Sequence, residues 1–312
     1  MKKIAMIGEC MIELSGEPFG SMVQTYGGDT LNTATYLARV SNKQIQVHYV
    51  SALGTDQLSE GMLSAWRQDH IHTDFVLQDS TRQPGLYLIQ LDKQGERTFL
   101  YWRNQSAARY LLQHIDYSKV LSALAQMEMI YLSGISLAIL PENDRLKLVN
   151  QLIGLAQKGV KIAFDTNYRP SLWQSAEETR QIYSALLPYV DLALVTFDDE
   201  QALWKDATPQ ATIERLTQLG VKNSVVKVGK DGAIFSDVAK NSGKVTACEV
   251  KKVVDTTSAG DAFNAGFLNG YLQDKDFTTC CQQGNQLAAV VIQHKGAIIS
   301  RSATPHFLTQ FN

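Results

Sequence analysis

The run VVDTTSAGDAFNAGFLNGYL (253–272) gathers the residue types that anion chemistry needs. A glycine at 260 lets backbone approach a ligand closely, and the first N–H groups of a helix have no intrahelical partner. Phe263, Phe267 and Tyr271 recur at helical spacing, which predicts a helix starting near Gly260. Before it the pattern predicts a short strand ending at Asp255, then a turn of small residues from Thr256 to Gly260. Such a helix start is a cradle for an anion and for charge developing on a transferring phosphoryl group. Asp261 falls in the first turn, where the helix dipole is expected to favour its ionised form, the form that accepts a proton from a hydroxyl. An acid in a first turn is also an ordinary cap, and on the Gly-Asp pair alone that reading holds.

Several elements must position these groups. The runs 4–8, 47–53, 129–134, 160–165, 192–196 and 224–229 are short, apolar and rich in Val and Ile, and read as buried strands. Amphipathic segments at 30–40, 57–68, 141–157, 172–187 and 209–218 alternate with them, and Gly159 and Gly220 follow two of these as helix stops. The alternation predicts an α/β fold, a mostly parallel sheet with helices on both faces, in a single domain spanning 1–312. One stretch, 85–103, alternates at period two about Asp92-Lys93-Gln94-Gly95, which predicts a hairpin inserted as a small β lid; a plain edge hairpin is the alternative.

Composition narrows the classes. The chain has 312 residues, 45% hydrophobic and 19% charged, enough for a large buried core and unlike a disordered chain. A net charge of −2 provides no basic field to collect nucleic acid. The opening MKKIAMIGECMIEL resembles a signal peptide only until Glu9 and Glu13, and no run is long enough to span a bilayer. Cys10, Cys248, Cys280 and Cys281 show neither metal spacing nor a disulfide framework, as expected of reduced thiols in a cytoplasmic protein.

DTTSAGDAF (255–263) resembles the second signature of the PfkB (ribokinase-like) carbohydrate kinases, Asp-Thr-x-x-Ala-Gly-Asp-x-Phe. GGDTLNTA (27–34) is similar to their first, a Gly-Gly turn with an asparagine four residues past the second glycine, and the resemblance extends over essentially the whole chain. It implies a ribokinase-like fold and ATP-dependent phosphorylation of a sugar, with Asp261 as catalytic base and the backbone of Ser258, Ala259, Gly260 and Asp261 as anion hole. There is no GxxxxGK[ST] loop, so the Walker-type ATPases are set aside. KVGKDG (227–232) could be an ordinary strand-to-strand turn, but the resemblance makes Lys227, Gly229 and Gly232 nucleotide contacts, with Asn167, Ser258, Gly260 and Asn285. Asp255 and the Gly296-Ala297 turn resemble places where relatives hold a monovalent cation such as K+, although Asp255 serves equally well as a turn cap. Many relatives carry Asn-x-x-Glu at a magnesium site; TFDDE (196–200) keeps Glu200 but has Phe197 in place of the asparagine, which leaves a water-mediated Mg2+ role for Glu200, aided by Asp198 or Asp199.

Within the family, GGDTLN, Tyr87, YWR (101–103) and DTNYRPSLW (165–173) are most similar to the pocket of kinases acting on 2-keto-3-deoxygluconate (KDG), a sugar acid. By that resemblance Gly28, Asp29, Asn32, Tyr87, Tyr101, Arg103, Arg169 and Asp261 face the substrate. A carboxylate favours the planar guanidinium fork, which suits both arginines, whereas a surface ion pair is the plain alternative for each. Along the hairpin Tyr87 or Tyr101 should face the pocket, with Trp102 turned away and packed in the core. The lid is also a candidate contact for a homo-oligomer. A kinase of a neutral sugar such as fructose or ribose, and a silent sugar-binding regulator, are the competing readings.

Overall fold

The computed structural model describes residues 1–41, 43–91 and 97–304. The hairpin turn expected at 92–95 lies outside the described residues. In chain order the first half comprises β1 (Lys2–Ile7), β2 (Met11–Gly16), β3 (Met22–Gly27), α1 (Asp29–Val40), β4 (Ile45–Leu53), α2 (Gln57–Gln68), β5 (Ile71–Gln78), β6 (Leu86–Leu91), β7 (Arg97–Trp102), α3 (Tyr117–Leu124), β8 (Met129–Ser133), α4 (Gly134–Ala138) and α5 (Glu142–Gln157). The second half comprises β9 (Lys161–Asp165), α6 (Ala176–Leu186), β10 (Leu192–Thr196), α7 (Phe197–Trp204), α8 (Pro209–Gln218), β11 (Asn223–Lys227), β12 (Ala233–Ser236), β13 (Ser242–Val245), α9 (Ala259–Tyr271) and α10 (Phe277–Val291).

Nine strands form one sheet in the order β13-β12-β11-β10-β9-β8-β1-β4-β5. All its pairings are parallel except those of β12 and β13. Because β-α-β crossovers return on both faces, the central strands are buried on both sides, and their sequences are continuous apolar runs such as LALVT. Ile4, Met6 and Leu194 pack into one core layer, and Ala5, Ile7, Leu132 and Val195 into the other. The strand C-termini of β9, β10 and β11 end in Asp165, Thr196 and Lys227, the edge where open α/β sheets collect ligands.

The expected hairpin is half of a larger structure. A four-stranded sheet in the order β3-β2-β6-β7 stands apart from the main sheet, with β6 parallel to β2 and antiparallel to β7. Tyr87 lies opposite Tyr101 on one face and Leu86 opposite Trp102 on the other. Trp102 corrects an expectation: it is 58% exposed rather than packed in the core, because it lies on β7, an outer strand of this small sheet. The strand expected to end at Asp255 is also absent; Val254 and Asp255 donate their N–H groups to Ile292 O at the end of α10 instead of joining a sheet.

Candidate active site

The helix α9 starts as its sequence requires. Ser258 takes a left-handed φ of 65°, which turns the chain into the helix, and Ala262 N–H makes the first helical bond to Ser258 O. Ala259 N–H is spent on Thr256 O at 3.2 Å, so the amides that precede the helical ladder and remain for an anion are those of Gly260 and Asp261. Asp255 braces the turn from behind, accepting from Thr257 N and Gly296 N, each at 2.9 Å.

Asp261 meets α1 across the cleft. Asn32 Nδ2 donates to Asp261 Oδ2 at 2.8 Å, while Asn32 Oδ1 faces Gly28 N at 3.4 Å. The Gly-Gly turn that begins α1 is tight: a Cβ on Gly28 would stand 2.1 Å from Glu9 O, so glycine is required by the close approach of the β1–β2 connection. Burial raises the Asp261 pKa to about 7, with the Asp29 charge adding to the rise and the Asn32 hydrogen bond opposing it. Desolvation and a neighbouring acid thus work against the helix dipole, which was expected to favour the ionised form. A value near neutrality still suits a general base, which works best with a pKa close to the operating pH. Burial likewise raises the pKa of Asp29, whose Oδ2 accepts from Asn167 Nδ2 at 2.7 Å.

Two cavities meet at this turn. One, of about 490 Å³, is lined by Gly28, Asp29, Asn32, Tyr87, Tyr101 and Asp261, with Asn167, Arg169 and Asp199 on its far wall. The second, of about 750 Å³, has a mostly apolar lining that includes Val250, Val253, Phe263, Ala288 and Ile292, with Gly229, Gly232 and Asn285. Thr196, Asp198, Lys227, Thr256, Ala259 and Gly260 border both. Lys227 is the cation at that junction: its Nζ donates to Asp165 Oδ2 at 2.9 Å and to Asn264 Oδ1 at 3.0 Å, and a Cβ on Gly260 would lie 3.7 Å from it.

Two expected roles change. Arg103 is absent from both cavity linings; its guanidinium is clamped on buried Glu9, with Nε 2.8 Å from Oε2, because the lid root brings the two charges together and a buried carboxylate demands a partner. Glu200 is fully buried and lines neither cavity; it accepts from Thr166 Oγ1 and from Arg215 at 2.5 Å, and burial raises its pKa to about 7. Both of its carboxylate oxygens already accept from protein groups, so Asp198 and Asp199, which do face the cleft, fit a divalent cation better. Asn285 lines the second cavity, and its Nδ2 donates to Val245 O and Thr246 O, at 3.3 and 3.0 Å, holding the backbone that leads into 247–250 on the cavity wall.

Arg169 does face the first cavity; it is 48% exposed at the side chain, 3.1 Å from Asp199 and 2.9 Å from Tyr168 O. Sequence reasoning missed Asp165 and Asn264, which hold Lys227, and Glu13, which accepts from Tyr87 and from Thr25 Oγ1. Asn264 was the findable one: it is a polar residue about one turn after Asp261 in a helix that is mostly buried and apolar.

Residues 1–304 match the pfkB family of carbohydrate kinases. The chain is 64% identical to the 2-dehydro-3-deoxygluconokinase of Haemophilus influenzae, over 100% of both chains. It is 45% identical to the 2-dehydro-3-deoxygluconokinase of Escherichia coli (strain K12), over 97% of this chain and 99% of that one. The solved PfkB protein of Polaromonas sp. JS666 superposes with a TM-score of 0.83 at 25% identity, covering 97% and 98% of the two chains. This chain belongs to the pfkB family of carbohydrate kinases.

Proposed function

We propose that the protein transfers the γ-phosphoryl group of ATP to the 6-hydroxyl of KDG. The observation that carries this reading is the meeting of two cavities at Thr256, Ala259 and Gly260, with the Asp261 carboxylate in the smaller one. The larger, apolar cavity suits a nucleobase and ribose, and places an anionic tail against the Gly260 and Asp261 amides. The smaller one suits a sugar acid, with Arg169 for the carboxylate and Tyr87 and Asn32 for hydroxyls. The names of the 64% and 45% identical relatives favour KDG among sugar acids.

In this mechanism Asp261 accepts the hydroxyl proton, the freed oxygen attacks the γ-phosphorus in line, and ADP leaves with the bond to the bridging oxygen. In this reading the Gly260 and Asp261 amides and the Lys227 ammonium, which border the junction of the two cavities, would stabilise the charge gathering on the equatorial oxygens. A magnesium ion held by Asp198 and Asp199 would neutralise the phosphates. A monovalent cation near Asp255 would hold the 255–260 turn in place; equal rates in potassium and tetramethylammonium salts would remove it. The exposed Leu100 and Trp102, on the lid face away from Tyr87, fit a contact with a second lid; sedimentation of Trp102→Glu as a smaller species than the parent would support it.

The test is a coupled ADP assay over sugar acids and neutral sugars. KDG should give the highest kcat/KM, and Arg169→Ala should raise its KM about tenfold to a hundredfold, as loss of a hydrogen bond to a charged group does. A neutral sugar preferred over KDG, or an Arg169→Ala enzyme with unchanged KM, would refute the substrate.

A further inference from the structure

At the far edge of the main sheet three potential ligands crowd one spot. His48 on β4 lies opposite His72 on β5, and one residue later the register slips, so that Thr73 and Asp74 both stand against Tyr49. A bulge of this kind re-aims a side chain, and here it brings the Asp74 carboxylate beside the two imidazoles. One nitrogen from each histidine and one Asp74 oxygen lie within 4.8 Å of one another. His48 is only 8% exposed, yet neither of its ring nitrogens has a hydrogen-bond partner among the described residues. Its ring stacks with those of His72 and Phe75, at 4.6 and 5.0 Å between centroids. A buried imidazole with two orphaned nitrogens is costly and calls for something to satisfy it.

We propose that His48, His72 and Asp74 form a binding site for one zinc-class divalent cation, with solvent in the fourth position. Imidazole suits zinc and its borderline neighbours, whereas magnesium prefers oxygen ligands alone, so the site selects against the cation abundant around a kinase. A tetrahedral zinc with bonds of about 2.1 Å holds its ligand atoms about 3.4 Å apart, so the widest pair must close by at most about 1.4 Å. The two imidazole planes lie 22° apart, which leaves their lone pairs side by side in the empty arrangement. Rotation of His72, which reaches solvent, supplies both the closure and the convergence, while His48 stays fixed in the sheet. Bound metal would tie the edge strand β5 to β4 at the bulge, remote from the residues placed in the kinase cleft.

The experiment uses untagged, chelator-treated full-length protein in excess Mg2+, titrated with Zn2+ by calorimetry and with Co2+ by visible absorption. One equivalent should bind, and Co2+ should give the intense bands of a tetrahedral site. His72→Ala should weaken binding by at least about tenfold, since loss of an orienting partner alone costs that much. His48→Leu should abolish it, His294→Ala should leave it intact, and kinase activity should be unchanged in His72→Ala. Absence of saturable binding in the parent protein, or equal binding by His72→Ala, overturns the proposal.

Discussion

The acid side of the pH profile tests the electrostatics of the cleft. Asp261 must be ionised to take the hydroxyl proton, and burial beside Asp29 sets its pKa at about 7. The kcat/KM for the sugar should therefore fall as pH drops through about 7, well above the range of an ordinary carboxylate. The largest opposing contribution is the hydrogen bond from Asn32 Nδ2, 2.8 Å from Asp261 Oδ2, with Ser258 adding a smaller one. A hydrogen bond to a charged group contributes about 1.5–3 kcal/mol, and 1.36 kcal/mol corresponds to one pH unit. Asn32→Ala should therefore move the acid limb up by about one to two pH units. At pH 7 the ionised fraction then falls from about a half to between a tenth and a hundredth, a loss of roughly five- to fiftyfold on top of any lost contact between Asn32 and the sugar. Asp29→Asn should move the limb the other way, because it removes a neighbouring negative charge. The assay is kcat/KM for KDG at saturating ATP across the pH range, read from the position of the limb rather than its height. A parent limb near pH 4, or the same limb in parent and Asn32→Ala enzymes, would refute the reasoning.

Other perturbations follow from the same contacts. Arg215→Met leaves Glu200 buried without its ion-pair partner and should cost about 3–5 kcal/mol in denaturant unfolding; a loss below about 1 kcal/mol would show that Glu200 is already neutral. Gly232 has a φ of 93° and a Cβ there would sit 2.0 Å from Val245 O, so Gly232→Ala should raise the KM for ATP more than that for the sugar. Asn285→Ala should also act on ATP, by freeing the loop at Val245 and Thr246, and an effect confined to the sugar KM would contradict that role. Arg103→Ala strips buried Glu9 of its partner and should lower stability as well as sugar affinity; a change in KM with unaltered stability would return Arg103 to the substrate pocket.

The main sheet was legible because its strands are buried on both faces and their sequences carry the fact locally: IAMIG, MIYLSG and LALVT can be little else. The rest of the lid was not. β3 (MVQTYG) is exposed over most of its length, and β2 joins β6 across some seventy residues of chain, a pairing that no local period reveals. In the cleft, the helix start at Ala259 and the acid at 261 were readable from residue type and spacing. The partners of the charged groups were not, since Glu9 with Arg103 and Asp165 with Lys227 are brought together only by the fold. That is why Arg103 and Glu200, both plausible by type, stand aside from the cavities while Asp198 faces them.

The decisive measurement is single-turnover phosphoryl transfer from ATP to KDG by Asp261→Asn, a change that preserves shape but removes the proton acceptor. The rate should drop roughly 10²–10⁴-fold while both substrates still bind with near-parental affinity. Transfer at the parental rate would show that Asp261 is not the base and that the chemistry is organised elsewhere.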